Sequence, residues 1–265
     1  MSPEQPLENL RLVLVGTSHP GNIGSAARAM KAMGLRQMAL VAPECDPGHR
    51  DAMALAAGAD DLIAKAERAD DLNPVLADCT LVFGTTARQR GVRMPGLSPR
   101  EAASRLLAAA RAGQRVAVLF GRESSGLNND ELQRCHAAIH IATDPAFSSL
   151  NLAAAVQVVA YELRMAELDG APPATAPDAS DPEEGGPEPP ATHAELEGLF
   201  GHLDRALHAI DFHKGRSPDT VMRRLRRLFF RAAPSEREIR ILHGILADAE
   251  RMARLADAAG GQDRG

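Results

Sequence analysis

The chain has 265 residues, 45% of them hydrophobic and 25% charged, with a net charge of −5. This is an ordinary globular balance with no global basic signature, so any nucleic-acid surface has to be local. Three scattered cysteines without CxxC spacing argue against a disulfide framework and a zinc site, and suit a reducing compartment.

The N-terminus has no basic segment ahead of its short apolar run, and no stretch approaches eighteen uninterrupted apolar residues. A soluble, cytoplasmic protein is expected, with no membrane partner. Along residues 1–168, short apolar runs recur at Leu10–Val15, Met38–Val41, Leu81–Phe83, Val116–Phe120 and Ala137–Ala142. Helical patterns lie between them at Ile23–Met33, Pro99–Ala112 and Asn129–Cys135. This alternation predicts an α/β domain with a mostly parallel sheet covered on both faces.

The first candidate segment is Gly16–Arg28, GTSHPGNIGSAAR, which joins a strand to a helix. Gly21 and Gly24 would permit close backbone approach to a ligand, and the helix start would favour an anion. Arg28 is expected about one turn inside that helix. The next is Phe83–Arg90, FGTTARQR, a strand end followed by two hydroxyls and two arginines. Ligands bind at such strand ends in open α/β sheets.

Leu119–Leu127, LFGRESSGL, repeats the strand-end pattern. Asn128 or Asn129 should cap the helix that follows. Glu123 is expected to pair with Arg122 or another loop arginine. In Ile141–Asn151, IATDPAFSSLN, Ser148 and Ser149 read as caps of the next helix, and Asn151 falls in its first turn ahead of apolar residues. That helix, Leu150–Leu168, has Gln157 as its only polar residue between Leu152 and Tyr161. Such a helix needs cover on several sides, from its own domain or from another subunit.

His136 and His140 flank a predicted strand and share no helix face. The nine histidines otherwise show no ligand spacing, so no metal is expected.

Residues 169–192 form a linker. From 171 onward it holds seven prolines, five acids and no Leu, Ile, Val or Phe, too little apolar surface to offset ordering entropy. Residues 193–265 predict a small all-α domain with helices near Glu195–Ile210, Thr220–Arg231 and Ser235–Leu255. In the middle helix, TVMRRLRRLFFR, Val221, Met222, Leu225, Leu228 and Phe229 share one side. Arg223, Arg224, Arg226, Arg227 and Arg231 take the other, with Phe230 among them, placed to stack on a base. Between Arg205 and Arg231 eight basic residues face two acids, which favours nucleic acid over a merely solvated face.

In that order, SHPGNIGSAARAMKAMGL, VFGTTARQR, LFGRESSGLNNDEL and SSLNLAAAVQVVAYELRMA strongly resemble the SPOUT methyltransferases of the TrmH/SpoU class. Within it the chain is most similar to the TrmJ-type tRNA (cytidine/uridine-32) 2′-O-methyltransferases, and the tail looks like their C-terminal extension. GVRMPGL lacks the Trp-Pro often seen in the family, and GLNNDEL replaces the commoner GLTNEEL.

The resemblance implies a sheet whose C-terminal part is threaded into a trefoil knot. It implies S-adenosylmethionine held by Thr85, Thr86 and Ala87, by Gly121, and by Ile141, Ser148, Ser149 and Leu150. It implies a homodimer, and catalysis by Arg28, Ser149 and Asn151. tRNA would be gripped by Arg28, Arg88, Arg90, Arg223, Arg224, Arg227 and Arg231. Rival readings are the same chemistry at another RNA site and a non-catalytic RNA-binding module. A nicotinamide-dependent enzyme is disfavoured, since the glycine fingerprint and the acidic ribose ligand are missing.

Overall fold

The computed structural model describes residues 6–87, 94–170, 188–215 and 217–262. The chain divides into two compact units, Met1–Ala179 and Ser180–Gly265.

In the first unit, a short 3-10 turn (Pro6–Asn9) leads into β1 (Leu10–Val15), α1 (Pro20–Ala32) and β2 (Gln37–Val41). Then come α2 (Arg50–Ala56), α3 (Asp60–Lys65), β3 (Glu67–Ala69) and α4 (Leu72–Leu76). β4 (Leu81–Thr85), β5 (Gly96–Leu97), α5 (Pro99–Arg111) and β6 (Val116–Phe120) follow. The unit closes with α6 (Asn129–Leu132), β7 (Ala137–Ile139) and α7 (Leu152–Leu168).

All seven strands join one sheet, in the order β3-β2-β1-β6-β4-β7-β5. Every pairing is parallel. Two late strands are therefore inserted between earlier ones, β6 between β1 and β4, and β7 between β4 and β5. Strand burial explains the unbroken apolar runs. β6, Val-Ala-Val-Leu-Phe, is buried at every position, as a central parallel strand requires. Leu12, Val118 and Phe120 point to one face, where they pack with residues of α1, α5 and α7. Val13, Ala117 and Leu119 point to the other, against α4 and Leu132 of α6.

The central strands and the larger helices lie where the sequence places them. α2, α3, β3, α4 and β5 escape a periodicity reading because none exceeds seven residues. Elements that short carry little intrinsic helix or strand signal and are held by packing. Two capping boxes fix helix starts, Ser98 with Glu101 at α5 and Asn128 with Glu131 at α6.

The second unit contains α8 (His193–Ala209), α9 (Pro218–Ala232) and α10 (Glu236–Gln262). Its core is a small cluster of Ala191, Leu196, Leu199, Phe200, Phe230 and Ile239. Phe230 meets Phe200 edge-on at 5.7 Å between ring centroids. No described helix is long and apolar enough to cross a membrane.

Candidate active site

Four adjacent parallel strands, β1, β6, β4 and β7, end on one edge of the sheet. Their outgoing loops, near residues 16–19, 121–127, 85–87 and 140–151, are thereby brought together, although they are far apart in sequence. Hydrogen bonds lace these loops. The Thr85 hydroxyl donates to the carbonyl of Leu119 at 3.0 Å, tying β4 to β6. The Thr86 amide donates to the Ile139 carbonyl at 3.0 Å. The His140 ring lies 3.2 Å from the Thr86 carbonyl. A carbonyl only accepts, so His140 Nδ1 carries the proton there.

Glu123, in the loop after β6, reaches across to the start of α1. Its carboxylate accepts from the Ser18 amide and hydroxyl at 3.2 and 3.1 Å, and from the His19 amide at 3.3 Å. It also accepts from the side-chain amide of Asn22 at 2.8 Å. The expected pairing of Glu123 with an arginine is therefore corrected. Arg122 instead donates to Glu131 at 2.9 Å. The N-cap residue of α1, His19, makes no side-chain cap, and a carboxylate from another loop accepts the amide N–H of His19 and of Ser18 before it, beside the positive end of the helix. Burial works against the charge of Glu123, but hydrogen bonds from Asn22, Ser18 and His19 outweigh it and hold its carboxyl below the ordinary range.

Asn22 continues the chain of contacts, since its side-chain oxygen accepts from Asn151 Nδ2 at 3.0 Å. Asn151 is the N-cap of α7, with Oδ1 accepting from the Ala153 and Ala154 amides at 2.9 and 3.3 Å. The expectation that Ser148 and Ser149 cap this helix, with Asn151 inside it, is thus replaced. Both serines are exposed, and Asn151 caps. The route Glu123–Asn22–Asn151 links the β6 loop, the α1 start and the α7 start. Sequence reading passed over Asn22, although its place two residues into α1 was the available signal.

One glycine assignment also changes. A Cβ on Gly24 would lie 2.1 Å from the Ala52 carbonyl oxygen, whereas one on Gly21, which is partly exposed, would meet only the tip of the Leu55 side chain at 2.9 Å. Gly24 thus brings α1 close to the α2 backbone and leaves no opening for a ligand there. Gly121 also admits no side chain, since its Cβ would meet the Gly126 carbonyl carbon at 2.1 Å, which leaves only its backbone groups to face a ligand.

Arg28 stands eight residues beyond the first residue of α1, more than two turns in rather than one. It is exposed, and no hydrogen bond or ion pair engages it among the described residues. No bond joins it to Ser149 or Asn151. Arg88 and Arg90 lie outside the described residues.

The loop from Ile141 to Leu150 offers donors suited to a ligand with both polar and apolar parts. Among the described residues no hydrogen bond occupies the amide N–H groups of Ser148, Ser149 or Leu150. Ile141 is half-buried and Leu150 partly exposed beside them, while Thr85, Thr86 and Ala87 border the same edge. This donor set fits the expected cofactor, which needs amides for its polar groups and apolar cover for its rings.

In the second unit, Arg223, Arg224 and Arg231 are exposed and Arg227 is half-exposed along one side of α9. Arg223 donates to the Asp219 carbonyl and the Thr220 hydroxyl, while Arg224, Arg227 and Arg231 have no bonded partner among the described residues. Arg226 differs: it pairs with Glu197 and lies 4.4 Å over the Phe200 ring. Phe230, expected among the arginines to meet a base, is instead a core residue at 8% exposure, and Leu228 takes the solvent at 48%. Phe230 follows the apolar side because Phe200 gives its ring an aromatic partner.

Parallel α/β architecture, with its loops gathered at one edge, defines the class, and comparison with known proteins agrees. Residues 9–161 match the SpoU rRNA methylase family, and the chain belongs to that methyltransferase family. Residues 194–258 match the C-terminal domain of the tRNA methyltransferase TrmJ, which places the chain in the TrmJ branch. It is 48% identical over 94% of its length to the tRNA (cytidine/uridine/adenosine-2′-O-)-methyltransferase TrmJ of Pseudomonas aeruginosa, covering 96% of that protein. It is 50% identical over 92% of its length to the tRNA (cytidine/uridine-2′-O-)-methyltransferase TrmJ of Salmonella typhimurium, covering 97%. Among solved structures, TrmJ from Z. mobilis aligns with a TM-score of 0.75 at 34% identity, covering 91% of this chain and 98% of that one.

Proposed function

We propose that the protein methylates the ribose 2′-hydroxyl of cytidine or uridine 32 in tRNA, using S-adenosylmethionine. The single observation that carries this reading is near full-length likeness, in both units, to enzymes named for 2′-O-methylation of tRNA cytidine and uridine, one of them of adenosine as well. Residues 1–168 would form the catalytic domain, 169–192 the linker and 193–265 an RNA-binding extension. The trefoil threading is part of the same proposal, and the late insertion of β6 and β7 between earlier strands supports it.

When bound, the cofactor supplies an electrophilic methyl group. Thr85, Thr86, Ala87, Gly121, Ile141, Ser148, Ser149 and Leu150 would hold it through backbone groups and apolar cover. The nucleophile is an alcohol whose proton leaves as the new bond forms. Arginine is a weak base, since its pKa lies above about 12. Arg28, exposed and uncommitted, therefore acts as a clamp on a phosphate and on the developing oxyanion. Ser149 and Asn151 complete the catalytic set. Asn151 already spends its oxygen on α7 and one N–H on Asn22, so it positions the loop that precedes it. Arg88, Arg90, Arg223, Arg224, Arg227 and Arg231 would engage the tRNA backbone.

A cytoplasmic homodimer completes the reading. Val158, Tyr161, Met165 and Leu168 recur at helical spacing along α7, and none of them is buried within the chain. Such a stripe is what a second copy would cover.

The test is incubation with labelled methyl donor and total tRNA, followed by nuclease digestion and mass spectrometry. Label on the ribose of nucleotide 32 supports the proposal. Label elsewhere moves the target, and no label in any RNA removes the activity.

A further inference from the structure

The last two turns of α8 carry Asp204 and His208 four residues apart, on one face of the helix. The chain beyond α8 folds back and delivers His213 to the same place. One ligand atom from each of these three residues lies within 4.8 Å of the others. The two imidazoles lie 4.7 Å apart between ring centroids, with their planes tilted by 59°.

His213 is the unusual member. It is only 8% exposed, and among the described residues neither of its ring nitrogens has a hydrogen-bond partner. Buried polar atoms in folded proteins are nearly always satisfied, so a buried imidazole with two open nitrogens beside a carboxylate indicates a missing partner. His208 and Asp204 form a helical pair on their own: the His208 ring lies 2.7 Å from the Asp204 carbonyl and 3.6 Å from its carboxylate. That pair gives no account of His213. The negative end of the α8 dipole adds a further preference for positive charge at this spot.

We propose that Asp204, His208 and His213 bind a divalent transition metal ion, with zinc the best match to two imidazoles and one carboxylate. Three protein ligands leave a fourth tetrahedral position for water. The ligand atoms would draw inward from their present separation to meet Zn–N distances of about 2.0–2.1 Å. Nothing in the sequence suggested this, because the His208-to-His213 spacing belongs to neither a helix face nor a zinc-finger pattern. The ion would pin the last turn of α8 to the segment leading into α9, the helix that carries the basic face. The site belongs to the second unit and shares no residue with the set assigned to methyl transfer.

The full-length, untagged protein is titrated with Zn2+ against a chromophoric chelator, and with Co2+ while visible absorption is followed. One equivalent per chain and a tetrahedral cobalt spectrum are expected. His213→Ala and Asp204→Asn should each weaken binding by about 100-fold. His202→Ala, in the stacked His202–His243 pair on α8 and α10, should leave it unchanged. Circular dichroism establishes that each variant is folded, and Asp204→Asn decides if His213→Ala is not. Absence of stoichiometric binding by the wild-type chain overturns the proposal, as does equal binding by a folded Asp204→Asn, or loss of binding only in His202→Ala.

Discussion

Asn151 and Asn22 lie 129 residues apart in sequence and meet at 3.0 Å, amide to amide. Through Asn22 the contact extends to Glu123, so the first turns of α1 and α7 and the loop after β6 are held as one assembly. The free amides of Ser148, Ser149 and Leu150 sit immediately before that junction. Asn151→Ala removes both the cap of α7 and the link to Asn22. It should lower thermal stability by about 1–2 kcal/mol and weaken S-adenosylmethionine binding. Chemical denaturation and calorimetry on the same variant measure the two effects, and wild-type affinity would detach the junction from the cofactor loop.

Arg28→Ala tests the clamp. Turnover should fall by at least about 10²-fold, while donor affinity stays at the wild-type value. Single-turnover methylation with saturating tRNA, beside calorimetric titration of the donor, separates these. A variant with normal turnover removes Arg28 from the chemistry.

Glu123 gives a pH dependence. Its folded-state carboxyl titrates below the ordinary range because Asn22, Ser18 and His19 donate to its charged form against the opposing effect of burial. A lowered folded pKa contributes stability that is complete above the unfolded value, about 4.3. That stability is lost as pH falls through the folded value. Glu123→Gln should flatten the acid limb of a plot of urea midpoint against pH, with little change near pH 8 in the slope of that plot. An unchanged acid limb would mean that other carboxylates govern it.

Gly24→Ala should destabilise by roughly 1–3 kcal/mol, since the added methyl meets a backbone oxygen that cannot rotate away. Urea denaturation measures it. A neutral result would show that α1 and α2 can part without cost.

The basic side of α9 predicts a salt effect. Replacing Arg224, Arg227 and Arg231 together by Ala should weaken tRNA binding and reduce the slope of log affinity against log salt by about 2–3. Arg226→Ala should behave differently: it breaks the Glu197 pair and the contact with Phe200, so it acts on the stability of the second unit. Filter binding across a salt series distinguishes the two kinds of arginine, and an unchanged slope in the triple variant would take α9 out of the interface.

Much of this was legible in the sequence. The runs Leu10–Val15 and Val116–Phe120 coincide with β1 and β6, because a strand buried on both faces has to be apolar nearly throughout, the exception being Arg11 of β1, which pairs with Asp78. A cap at Asn128 or Asn129 was legible locally, and the structure selects Asn128, the acceptor three residues ahead of Glu131. Glu123 was misjudged because its partners come from α1, and a neighbouring arginine was the only charge visible locally. Gly24 escapes a local reading because a small residue signals close approach without saying to what, and here it is α2. Phe230 sits beside arginines in sequence, yet Phe200, thirty residues earlier on another helix, decides its orientation. In each case the deciding partner is distant along the chain.

The chain has one tyrosine and no tryptophan, and Tyr161 stands 47% exposed on the apolar stripe of α7. Emission excited at wavelengths that phenylalanine does not absorb therefore originates from a single phenol, at the surface a second copy would bury. Dilution series read by that emission would follow the proposed subunit separation without any attached dye, and with the catalytic edge and the arginine helix left untouched.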